Sequence, residues 1–109
     1  VILATTDTIA GRRIVKTLGL VRGVSVRARD VSTDVTAFMR NLVGGELPEY
    51  TKLFAEAREQ ALDRLLEEAA SFGAHAVVGL RFQTSQITDG AAELLAYGTA
   101  VLLAEESES

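Results

Sequence analysis

The residue best suited to chemistry in this chain is His75, the only histidine among 109 residues. It stands in the stretch GAHAVVGLRFQTS, residues 73–85, between two alanines and just ahead of an alternating apolar pattern. An imidazole can act as a general base or as a metal ligand. A zinc site needs three or four donors from Cys, His, Asp and Glu, and this chain offers no cysteine and one imidazole. A site within one chain would therefore be nearly all carboxylate, which suits Mg²⁺ or Ca²⁺ better than a soft metal. His75 with carboxylates is the alternative reading, that of a metal-binding protein. A structural or solvent-exposed histidine at a strand start is the favoured one. Nucleophilic catalysis has no better footing, because no G-x-S-x-G elbow is present and any triad would depend on the same histidine. No catalytic residue, cofactor or ligand-binding residue is assigned, and a non-enzymatic protein is expected.

Three further patterns invite a functional reading. The pair Gly44-Gly45 precedes a helix, but GGELPEY fits neither the phosphate-loop nor the dinucleotide-binding glycine pattern. Glu46 and Glu49 already place negative charge at that helix start, so the glycines read as a junction between helices. The acidic residues Glu56, Glu59, Asp63 and Glu67 recur at helical spacing and read as one solvated face. Finally, charge is split along the chain. Residues 1–43 hold seven basic groups against three acidic, a net +4, whereas residues 44–109 hold four against twelve, a net −8. The basic half lacks the aromatic interleaving that single-strand binders use, and the whole chain is acidic at −4. Both points argue against nucleic acid and for a basic surface that meets an acidic neighbour.

These residues must be positioned by one small domain, residues 1–109, with 104–109 expected to fray. Apolar residues make up 48% of the chain and aromatics only 6%, so the core is aliphatic. No apolar run approaches the ~18–20 residues of a membrane span, and the start VILATTDT lacks the pattern of a signal peptide. A cytoplasmic setting without membrane contact is expected.

Residues 13–21 and 24–29 are β-rich, and Arg22-Gly23 is predicted as the two-residue loop of a hairpin, with Gly19 facing Val26 and Val21 facing Val24. Residues 30–45 are predicted as a shorter helix, with Val35, Phe38, Met39 and Leu42 on one side. The segment 46–73 is the strongest helix. Pro48 suits its first turn and Gly73 its stop, and Tyr50, Leu53, Phe54, Ala57, Ala61 and Leu65 form a stripe that Leu62 and Leu66 widen. In the next strand Ala76, Val78, Leu80 and Phe82 are predicted to face the core, with His75, Gly79, Arg81 and Gln83 on the other face. The last strand, ELLAYGTAVLL, is apolar on both faces and is predicted to pair with it across Thr88-Asp89-Gly90. That register sets Gly79 near Gly98 and His75 on the face of Ala96 and Ala100.

A strand apolar on both faces, an over-wide helix stripe and oppositely charged halves together predict self-association. Head-to-tail contacts of that kind close into rings when the rotation allows. The interface candidates are Gly79, Leu94, Ala96, Gly98, Ala100 and Leu102.

The segments TTDTIAGRRIVKTLGLVRGVSVRARD, RNLVGGELPEYTKLFAEAREQALDRLLEEA, GAHAVVGLRFQTSQI and AELLAYGTAV, in this order, closely resemble the YbjQ-like family over residues 2–103. The resemblance implies an α+β subunit, an antiparallel sheet packed against one long and one shorter helix as in dodecin-like folds. It also implies assembly as a ring, a homopentamer, whose interfaces could hold a small ligand. Family members are often labelled as heavy-metal-binding, with no established reaction. Some carry acidic residues on the strand after AVVG, where this chain has Arg81 and Gln83.

Overall fold

The long helix is bounded by the residues that ought to bound it. In the computed structural model, which describes residues 1–27, 48–88 and 91–105, helix α1 spans Pro48–Ser71. Gly73 follows in the left-handed region at φ +72°. Its N–H donates to the Ala70 carbonyl and the Ala74 N–H to the Ala69 carbonyl, the paired bonds of a Schellman stop. Ala57, Ala61, Leu65 and Ala69 are buried at intervals of four along one face, which is the expected stripe continued to the helix end. The predicted shorter helix at 30–45, the Gly44-Gly45 junction and the tail from residue 106 lie outside the described residues.

Four strands form one mixed sheet in the order β1-β3-β4-β2: β1 is Ile2–Leu3, β2 is Ile14–Arg27, β3 is Ala76–Thr88 and β4 is Ala91–Leu103. β3 and β4 pair antiparallel as expected, but β1 joins β3 parallel, so the sheet is not purely antiparallel. The larger correction concerns the first hairpin. β2 runs unbroken through Arg22 and Gly23 and pairs along its length with β4, Gly23 lying opposite Ala96 and Val21 opposite Gly98. Gly23 is small because α1 crosses it. A Cβ there would stand 2.0 Å from the Ala61 carbonyl oxygen and 2.5 Å from the Leu65 nitrogen. The glycine marks a close helix–strand approach and not a turn.

A second correction follows from Gly79. It adopts φ +64°, and the β3–β4 register shifts between Val78 and Arg81, so two residues oppose Gly98. This bulge reverses the alternation. Val77 and Leu80 share the helix-side core with Val21, Ala61, Leu65, Ala69, Ala96 and Ala100. Ala76 and Val78 lie in a separate cluster with Val101, Leu103, Ile9 and Ile14. The predicted single core face, 76–78–80–82, is thus divided between the two sides of the sheet.

The two sides are covered differently along their length. Near the end where β3 begins, α1 covers one side and the stretch between β1 and β2, through Ile9, covers the other. Farther out, among the described residues, only the α1 side is packed. The chain extends over 59 × 25 × 16 Å, and its radius of gyration is 17.6 Å, where a globular chain of this length would have ~13 Å.

Candidate functional site

His75 occupies the corner between the end of α1 and the start of β3. It is exposed, yet three bonds hold it. Its N–H donates to the Val101 carbonyl and its carbonyl accepts the Ile2 N–H. Its Nδ1 accepts the Leu103 N–H at 3.0 Å. The expected grouping with neighbouring residues does not form. Ala96 and Ala100 are fully buried in the helix-side core. Arg81 lies six residues along the chain, ~20 Å of strand away, beyond the bulge. Its Nη1 donates to the Thr5 carbonyl at 2.8 Å and to its neighbour Leu80 at 2.8 Å, tying down the segment that follows β1. Gln83 is exposed.

The helical carboxylates are spread along α1. Glu56, Glu59 and Asp63 border an open hollow with Ala55 and Gln60, and among the described residues no three His, Asp or Glu side chains are grouped to hold a metal ion. Glu68, on the same helix, accepts the Arg22 backbone N–H at 3.1 Å. Arg64 donates to the Val24 carbonyl, and the buried Ser25 hydroxyl donates to Gln60 Oε1 at 2.7 Å. Helix side chains thereby satisfy the backbone of β2 on either side of Gly23. Reading Arg22-Gly23 as a turn hid this contact. The signal available was the alanine at three of the four buried positions spaced by four along the helix, Ala57, Ala61 and Ala69, which permits close approach.

The interface candidates fall largely inside the subunit. Leu94, Ala96 and Ala100 are buried under α1, and a Cβ on Gly98 would lie 2.6 Å from Val77 Cγ1 and 3.0 Å from the Val78 carbonyl. Gly79 and Leu102 are half-buried. Among the described residues, nothing packs on the other side of the outer sheet. There the cross-strand rows run Val24–Leu95–Gln83 and Arg22–Tyr97–Arg81, with Leu20 beside Thr99 and Val26 beside Glu93. Leu20 is 60% exposed and Val26 50%. Two half-buried leucines, Leu62 and Leu66, border the acidic face of α1. Among the described residues, no helix is long and apolar enough to cross a membrane.

A family model described as "Putative heavy-metal-binding", YbjQ, matches residues 1–104. A UPF0145 protein of Halorubrum lacusprofundi is 57% identical over 101 residues, covering 93% of this chain and 97% of that one. One from Methanosarcina acetivorans is 55% identical over 100 residues, 92% and 94% of the two chains. One from Thermus thermophilus is 50% identical over 103 residues, 94% and 90% of the two chains. Among solved structures, a protein of unknown function in the DUF74 family from Pediococcus pentosaceus matches at a TM-score of 0.55 with 19% identity, covering 94% of this chain and 96% of that one. That likeness bears on the fold alone.

Proposed function

The chain belongs to the YbjQ family, UPF0145, and from that premise we propose a non-enzymatic protein whose subunits join head to tail into a ring, most simply a pentamer. The observation that carries this reading is the exposure of Leu20 and Val26 on an outer sheet face that no described residue covers. Burying one Leu-sized side chain contributes roughly 1.5–3 kcal/mol, so a few per contact would hold a ring together. The occupant is the α1 surface of a second copy. Leu62 and Leu66 supply apolar area for Leu20 and Val26, and Glu59 and Asp63 supply the charge that complements Arg22. One sheet face meeting one helix face is a heterologous contact, the type that closes into rings. A small anion at the interface would lodge at the row Arg22–Tyr97–Arg81, where two basic residues flank an aromatic ring.

Light scattering with a charge exchange tests the reading. Wild type should have the mass of a closed oligomer at micromolar concentration. The double variant Glu59→Arg/Asp63→Arg should dissociate, and adding Arg22→Glu should restore part of the mass. A monomeric wild type overturns the proposal, and so does an oligomer indifferent to these charges.

A further inference from the structure

The family description raises the question of a heavy metal, and the donors of this chain do not fit one. A soft or borderline metal needs thiolate or imidazole donors that converge. The chain has no cysteine and one histidine, and that histidine is wired in the opposite sense. A metal-bound histidine coordinates through one ring nitrogen and donates its other N–H to a carboxylate, carbonyl or water. At His75 the inward nitrogen faces a donor instead, the Leu103 N–H, at 3.0 Å. That bond requires a lone pair on Nδ1, which places the ring proton of the neutral imidazole on Nε2. Ligation through Nε2 would move the proton to Nδ1 and set two donors against each other. Ligation through Nδ1 would displace the Leu103 N–H. Both routes break the same link.

From this polarity we infer that His75 is a tautomer-locked latch for the end of β4, and that the latch is incompatible with metal ligation at this imidazole. Its place in the ladder explains the need. Ala76 pairs with Val101, so Leu103 lies beyond the first residue of β3 and its N–H has no strand carbonyl opposite. The imidazole supplies the missing acceptor, while the backbone of the same residue bonds Val101 and Ile2. One residue thus fastens β4, β3 and β1 at a single corner. Leu103 in turn belongs to the cluster formed with Ile9 and Ile14, so the latch also steadies the segment that covers this side of the sheet.

Nitrogen-15 NMR on the full chain tests the inference without a substitution. The ring should show the Nε2–H tautomer, and excess zinc should leave the ring signals and the Leu103 amide unchanged. In His75→Ala, hydrogen exchange at Leu103 should accelerate roughly tenfold, the usual scale for one lost hydrogen bond. An Nδ1–H tautomer overturns the inference. So does zinc that shifts the wild-type imidazole and exposes Leu103, or a Leu103 amide whose exchange is the same with alanine at position 75.

Discussion

The inner and outer halves of the sheet are built from the same three long strands and differ in what lies on their two sides. The inner half is a sandwich, with α1 on one side and the Ile9 segment on the other. The outer half has α1 on one side and exposed Leu20 and Val26 on the other. Residue types follow the difference only in part. β4 is equally aliphatic throughout, with Val101 and Leu103 in the inner half and Leu94 and Leu95 in the outer. Apolarity on both faces of a strand therefore shows that both faces are to be buried, and it does not show by what. In the inner half the chain covers both sides itself. In the outer half the described residues cover one.

The largest expected effect is at Gly23, where helix and outer strand touch most closely. Even Gly23→Ala sets a methyl group against helix backbone atoms that cannot yield, and a cost of about 3 kcal/mol or more is expected. Hydrogen exchange should reveal the loss first in residues 20–26 and 92–97, with the inner half still protected. Equal loss in both halves would show that they fold as one unit. Gly98→Val comes next. Its side chain meets Val77 Cγ1 and the Val78 carbonyl at the bulge, and the valine can shift where a helix backbone cannot, so roughly 1–3 kcal/mol of destabilisation is expected in thermal melts. The smallest effect on the fold belongs to Leu20→Ser with Val26→Ser, since both side chains are half or more exposed. The subunit should keep its stability to within about 0.5 kcal/mol in urea titration under conditions where it is monomeric, while light scattering at micromolar concentration shows a lower mass than wild type. A pair that melts the subunit outright would mean that this face is packed within the chain, and the contrast between the halves would fail.

Much of the fold was legible in the sequence because its signals are local. The helix announced itself by Pro48, by Gly73 and by an apolar stripe, and the β3–β4 hairpin by two long runs around a turn. What was misread depends on contacts distant in sequence. Gly23 after Arg22 has the composition of a turn, and only α1, some 40 residues later, makes it a packing position. Gly79 looks like one more small residue in an alternating strand, and its bulge puts Leu80 on the side of the sheet opposite Ala76 and Val78. The β1 pairing was illegible because two residues, Ile2 and Leu3, give no period to read. The bond from Leu103 to His75 was not legible, because it depends on where β4 ends relative to β3, which no pattern within either strand records.

The helix side chains laid along β2 also set a limit on growth. A sheet can recruit another strand wherever an edge offers free backbone donors and acceptors. On β2 the Arg22 N–H is taken by Glu68 and the Val24 carbonyl by Arg64, so at these two residues a foreign strand would have to evict bonds already made. Past Leu80, β3 has no β1 beside it. Among the described residues, one edge is obstructed at two places and the other is free past Leu80, which gives a valence of one for strand addition. Two copies joined through β3 would leave obstructed edges outward on both sides, and a ribbon would stop at its first pair.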